Sequence, residues 1–305
     1  MEYVFRAFGL SKRYKKQLAV NETDMTISRG DIYGFVGENG SGKTTIIRLI
    51  TGLIFPSSGY FELFGAKNTS AEIGAARRKL GAIVESPSIY MNMSAYDNLK
   101  LQCALLGLPA DDRIAATLEE VGLGELLYEK KHASNFSLGM RQRLGIAMAL
   151  IGSPEFLILD EPMNGLDPAG IVEIRELILK LNRERNITFL ISSHILSELS
   201  LIATKYGIIS KGHVIKEITA AQLQEEMSKT TDITAEDPEA LYTLMEELGQ
   251  EKVRRIPGGI RLSGEVNYNE LLSAIIARGI VISSVNCRES SFEEYYLETI
   301  GGKRA

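Results

Sequence analysis

The chain has 305 residues, 45% hydrophobic and 24% charged, with a formal net charge of −5. That length predicts about two domains at roughly 150 residues each, the composition suits a globular chain with a real core, and the acidity argues against a nucleic-acid groove, which carries a basic stripe. No apolar run approaches the ~18 residues of a membrane span and Met1-Glu2-Tyr3-Val4-Phe5-Arg6 lacks a signal-peptide pattern, so a cytoplasmic protein is expected, any membrane-crossing partner being a different chain.

In chain order, Tyr3 to Phe64 reads as short strands and turns of a small antiparallel sheet, interrupted once. Ile32-Tyr33-Gly34-Phe35-Val36 predicts a buried strand, and Lys43 to Gly52, with Ile46, Ile47, Leu49 and Ile50, predicts the helix that follows. Between them stands Gly37-Glu38-Asn39-Gly40-Ser41-Gly42-Lys43-Thr44-Thr45. A G-x-x-x-x-G-K-[ST] run arises by chance in about one chain in a hundred of this length. Its glycines let successive N–H groups turn onto phosphate oxygens, and the helix start adds a positive dipole end. Lys43 is expected to reach the β- and γ-phosphates of a nucleoside triphosphate and the Thr44 hydroxyl to ligate its magnesium ion. Gly37, Asn39, Gly40, Ser41, Gly42 and Thr45 complete the cradle.

Basic clusters at Lys12-Arg13-Tyr14-Lys15-Lys16 and Arg77-Arg78-Lys79 suit a solvated face or a phosphate-side charge. From about Ser94 to Leu150 the pattern turns helical, predicting a helical insertion. Cys103 and Cys287 are isolated and read as free thiols, with no disulfide or metal spacing. Phe156-Leu157-Ile158-Leu159 and Ile187-Thr188-Phe189-Leu190-Ile191 are unalternating apolar runs, as in strands buried on both faces of a parallel sheet. The first ends in Asp160-Glu161-Pro162, at the strand edge where open α/β sheets bind ligands. Asp160 is expected to hold magnesium beside Thr44, and Glu161 to polarise an attacking water. An acidic pair after a strand can also be a solvated turn; the phosphate loop upstream favours the ligand role. The second run ends in Ser192-Ser193-His194, which puts an imidazole at the same edge.

Past Gly212 the character changes. A strand at Asp232 to Ala235, a helix carrying Leu241, Leu244, Met245 and Leu248, strands at Lys252 to Ile256 and Ile260 to Ser263, a helix with Leu271, Leu272, Ile275 and Ile276, and a strand at Ile280 to Ser283 give the order β-α-β-β-α-β. That is the ferredoxin-like order. Ser291-Phe292-Glu293-Glu294-Tyr295-Tyr296-Leu297 reads as an amphipathic closing helix, and also matches the end of many drug-export ATPases. The expected domains are 1–217, with a helical part at about 90–150, and 218–305.

With these motifs in this order, the stretch from about Tyr3 to Glu217 resembles the ATP-binding subunits of ABC transporters, and Phe136-Ser137-Leu138-Gly139-Met140-Arg141-Gln142-Arg143 is similar to that family's signature segment. The resemblance implies an α/β fold. Its P-loop NTPase core would hold a RecA-like parallel sheet, an antiparallel β subdomain and a helical insertion, followed here by the small α+β domain. It implies ATP and Mg2+ as bound groups, and two subunits, expected to be identical, sandwiching two ATP molecules head to tail. Ser137 and Gly139 would then meet the γ-phosphate held by the other subunit. Tyr14 would stack on adenine, although its residues alone suit local edge-strand packing nearly as well. Asp167, in Asn164-Gly165-Leu166-Asp167, would lie across the interface, Glu161 would be the general base and His194 the γ-phosphate sensor. Integral membrane permeases are the other implied partners, with this chain lying peripherally on the cytoplasmic face of the membrane.

Three positions depart from the family pattern. Glu85, in Ile83-Val84-Glu85-Ser86-Pro87, stands where a neutral glutamine is usual, and still offers magnesium a hard oxygen. Leu138 replaces the first glycine of the signature and Met140 its glutamine. A leucine resists left-handed angles, so the turn at Leu138 must be right-handed. Glu85, Phe-Ser-Leu-Gly-Met and the ferredoxin-like tail together resemble the subgroup that protects bacteria from bacitracin and lantibiotics, implying expulsion of an amphipathic peptide. Family members acting on DNA or ribosomes carry long coiled coils or two nucleotide domains, and this sequence has neither. A nucleotide switch without useful hydrolysis is the other alternative, against which Glu161 and His194 both weigh.

Overall fold

The computed structural model describes residues 2–227, 229–250, 253–263, 266–289 and 291–301. The chain divides into two compact units, one running to Ala220 and the other starting at Ala221. The first opens with β1 (Tyr3–Tyr14) and β2 (Gln17–Ser28), an antiparallel pair. β3 (Ile32–Val36) leads through the glycine-rich loop to α1 (Lys43–Thr51), after which β4 (Ser58–Leu63) pairs with β1 and the short β5 (Ala66–Lys67) with β4. Next come α2 (Ile73–Arg77) and β6 (Leu80–Ile83). The helical stretch consists of α3 (Ala95–Leu106), α4 (Asp111–Glu120) and α5 (Leu138–Leu150), broken by 3-10 turns at Gly124–Leu127 and Ala133–Asn135. β7 (Phe156–Asp160), α6 (Pro168–Arg185), β8 (Thr188–Ser193), α7 (Leu196–Ser200) and the hairpin of β9 (Lys205–Ser210) with β10 (His213–Thr219) complete the unit.

Two sheets result, an antiparallel one ordered β2-β1-β4-β5 and a six-stranded one ordered β10-β9-β3-β8-β7-β6. The second is parallel except for its β9–β10 hairpin. Every residue of β3, β7 and β8 is buried, as their unalternating apolar runs predict. One core cluster joins Phe5 and Phe61 of the small sheet, Ile46, Ile47, Leu49 and Ile50 of α1, and Phe35, Phe156 and Ile158 of the large sheet. α1 is therefore clamped on its apolar side, and its N-terminus is fixed at the edge where β3, β8 and β7 end side by side.

Helix limits follow local capping. α1 stops at Thr51 because Gly52 takes φ 82° and donates its N–H to the Leu49 carbonyl, so the predicted helix ends one residue early. The side chains of Ser94, Ser137 and Asp167 accept first-turn N–H groups of α3, α5 and α6.

The second unit holds α8 (Ala220–Glu226, entering from the first), β11 (Lys229–Ala235), α9 (Pro238–Glu247), β12 (Val253–Ile256), β13 (Gly259–Ser263), α10 (Tyr268–Ala277), β14 (Ile282–Glu289) and α11 (Phe292–Gly301). Its sheet is wholly antiparallel, ordered β12-β13-β11-β14, the arrangement of a ferredoxin-like unit. Ile233, Leu241, Leu244, Met245, Ile260, Leu262, Leu271 and Ile275 form its core. The last strand starts at Ile282 and not at Ile280: Gly279 turns left-handed at φ 67°, and the Ile280 N–H closes α10 on the Ile275 carbonyl. The expected start of this unit's second strand, at Lys252, lies outside the described residues.

Candidate functional site

A cavity of about 440 Å3 opens over the glycine-rich loop, lined by Tyr14, Gln17, Ala19, Asn39, Gly40, Gly42, Lys43, Thr44, Thr45, Glu85, Asp160, Glu161 and Asn164. Its floor is the start of α1. Gly42 caps that helix at φ 112° without a side-chain hydrogen bond, so no side chain covers the first-turn N–H groups. Gly37 lies behind the wall, where a Cβ would come within 2.5 Å of the Ile209 carbonyl oxygen and 2.6 Å of Ser41 Oγ.

Lys43 is nearly fully buried, and its Nζ donates to the carbonyls of Gly37 (2.6 Å) and Glu38 (3.2 Å). Burial pushes its pKa down, opposed by the negative charges of Glu161 and Asp160. The Glu161 carboxylate is 3.9 Å away. A buried cation held mainly by carbonyls is a place where an anion relieves the desolvation cost.

Asp160 is buried at the end of β7. One of its oxygens accepts from Thr44 Oγ1 at 3.0 Å and the other from Ser192 Oγ. The parallel register of β7 and β8 sets Ser192 opposite Asp160, and the Glu161 N–H donates to the Ser192 hydroxyl at 3.1 Å. Glu161 leaves the strand left-handed at φ 51°, which turns its carboxylate from the sheet to the cavity and to His194, whose Nδ1 is 2.7 Å from it. A carboxylate so placed, joined to an imidazole and facing a buried amine, can take a proton from a water beside a bound anion.

Thr44 and Asp160 supply the hard oxygens that magnesium prefers, so the residues fit that ion. Among the described residues no cluster of three or more His, Cys, Asp or Glu could hold a metal. The ion would need oxygens of the nucleotide as well.

Not every expected site residue reaches the cavity. Tyr14 stands at its mouth, 39% exposed, with Lys12 Nζ over its ring at 5.4 Å. Glu85 lines the wall at φ 64°, but its carboxylate is paired with Arg48 of α1 and is not joined to Thr44 or Asp160. Ser137, Gly139 and Asp167 are absent from the lining. Ser137 caps α5 through the Met140 N–H at 3.1 Å, a Cβ on Gly139 would meet Ser137 Oγ at 4.0 Å, and Asp167 caps α6 through the Gly170 N–H at 3.1 Å. Leu138 begins α5 and takes no left-handed angle. Sequence reasoning gave no role to Ser192 or Arg48. A hydroxyl three residues past Phe189 on the neighbouring strand was the signal for the first; a cation on the helix that carries Lys43 was the signal for the second.

Residues 20–164 match the family model described as ABC transporter. Over 99% of both chains the sequence is 40% identical to the bacitracin transport ATP-binding protein BcrA of Bacillus licheniformis. It is 44% identical to the lantibiotic transport ATP-binding protein SrtF of Streptococcus pyogenes, over 72% of this chain and 93% of the relative. Among solved structures, the cbiO1 part of the ABC transporter complex cbiONQ of Clostridium perfringens superposes with a TM-score of 0.67 at 26% identity, over 82% of this chain and 97% of that one.

Proposed function

This chain belongs to the ABC transporter family as an ATP-binding, ATP-hydrolysing subunit, and from that premise we propose that it powers the expulsion of a peptide antibiotic by separate membrane permeases, conferring immunity or resistance. The observation that carries the mechanism is the constellation at one sheet edge: Lys43, Thr44, Asp160, Glu161 and His194 within mutual reach over an uncapped helix start. The cargo assignment is supported by relatives named for bacitracin and lantibiotic transport, the first matched through both units.

In this reading Lys43 and the first-turn N–H groups of α1 hold the β- and γ-phosphates. Tyr14 stacks on the base at the cavity mouth. Thr44 and Asp160 hold a magnesium ion, which neutralises phosphate charge when bound. Glu161 receives the proton of the attacking water as the water oxygen bonds to the γ-phosphorus and the bond to the ADP oxygen breaks. His194 orients Glu161 and meets the γ-phosphate. Ser137, Gly139 and Asp167, being outside their own chain's cavity, serve the nucleotide of a second subunit in a head-to-tail pair. Among the described residues no helix is long and apolar enough to cross a membrane, which fits a subunit working from the cytoplasmic face on permeases of other chains.

Replacing Glu161 by Gln is expected to leave an ATP-holding dimer, seen by size exclusion, with turnover lowered about 10²–10⁴-fold. Turnover at the wild-type rate would sink the base assignment. In cells that express this chain with its permeases, tolerance to bacitracin or a lantibiotic should vanish with Lys43→Ala. Tolerance unchanged by that substitution would remove the peptide cargo while leaving the ATPase.

A further inference from the structure

Glu85 lines the cavity wall, yet its carboxylate is paired with Arg48, a guanidinium outside the cavity lining. Three constraints fix it there. Its own backbone is left-handed, a strained choice for a side chain with a Cβ that persists only when surroundings impose it. The tight turn centred on Glu85 is closed by the Ser86 N–H donating to the Val84 carbonyl at 2.8 Å. Pro87 then seats on the bare face of α5 at Gly145, where a Cβ would come within 2.5 Å of the proline Cβ.

A loop so pinned holds a carboxylate in the wall of the same cavity as Asp160 and Glu161, a cavity suited to a polyanion. Like charges there oppose binding. Arg48 answers this from α1, the helix whose first two residues are Lys43 and Thr44, so guanidinium and cradle move as one body. The pair is partly exposed, with side chains 38% and 59% accessible. Exposed pairs hold weakly and exchange partners readily.

Resting on the ATP site described above, we propose that Arg48 is a positioning residue that parks the Glu85 carboxylate and yields it only to a metal-bound triphosphate or diphosphate. Arg48 thereby masks one negative charge while the site is free of metal, and Glu85 becomes an oxygen ligand only when the divalent ion arrives to compete with the guanidinium. The pair sets how strongly nucleotide binding depends on magnesium.

The test is ADP affinity, by isothermal titration of the full chain, with magnesium and with EDTA. In Arg48→Gln the metal-free affinity should fall on the order of threefold, the size expected of one lost exposed charge pair, while the magnesium–ADP affinity changes less, so the ratio of the two rises. Arg48→Lys, which keeps the charge, should retain the wild-type ratio. Glu85→Gln should lower the ratio, and adding Arg48→Gln to it should have no further effect. Equal weakening of both forms in Arg48→Gln, or the same effect of that substitution in the Glu85→Gln background, would overturn the proposal by showing that Arg48 acts on phosphate directly. If the unsubstituted chain bound ADP in neither condition, the nucleotide site itself would fall, and this inference with it.

Discussion

Lys43 shows how a single residue carries chemistry through an unfavourable position. Its amine is buried among backbone carbonyls, and desolvation lowers its pKa despite the two carboxylates nearby. A triphosphate stabilises the charged form and raises the pKa again. Binding therefore takes up a proton at alkaline pH, between the pKa of the free site and that of the complex, and affinity falls as pH rises through that window. Titration in two buffers of different ionisation enthalpy reads this directly; proton release, or no pH slope on the alkaline side, would contradict it. Lys43→Ala should remove the nucleotide-dependent rise in melting temperature and leave the nucleotide-free melting temperature within a few degrees of wild type.

Among the elements, α5 depends on its first residue's neighbour. Ser137 accepts the Met140 N–H, so Ser137→Ala should cost about 1 kcal/mol of stability through the lost cap. A denaturant midpoint unchanged by Ser137→Ala would mean that the cap contributes nothing. Strand packing is stricter. The Tyr33 ring lies over Gly207, where a Cβ would meet the Tyr33 hydroxyl oxygen at 2.0 Å, and that hydroxyl donates to Glu217 at 2.9 Å. The ring is fully buried and its phenol is pushed well above the usual range, by burial first and then by Glu217. Gly207→Ala should therefore destabilise the first unit by about 1–3 kcal/mol through overpacking, measured as a lower unfolding midpoint. An unchanged midpoint would show that the β3–β9 contact relaxes without cost.

For the whole molecule, the two units have separate cores. We expect residues 221–305 to fold by themselves, with mixed α/β circular dichroism and a cooperative urea transition. Leu244→Ala, at a core position, should cost about 2–5 kcal/mol. That is comparable to the few kcal/mol a core of this size supplies, so the transition should move to much lower urea or be lost. A wild-type fragment without a transition would mean that this core does not suffice alone.

The sequence by itself determined whatever is written in contiguous residues. Gly37 to Thr45 follow an apolar strand and run into an apolar helix, so the glycine-rich loop and its flanking elements were legible in the sequence. The all-apolar run of β7 declared a strand buried on both faces, and the β-α-β-β-α-β order declared the second unit. What only the tertiary structure decided was which distant groups meet. Thr44 reaches Asp160, 116 residues away, because β3 and β7 both flank β8. Ser192 bridges Asp160 and Glu161 because of the strand register, and Glu85 finds Arg48 because a pinned loop turns it there. Local patterns fix a residue's own conformation, but a charge's partner is set by the packing of elements that no short window of sequence contains.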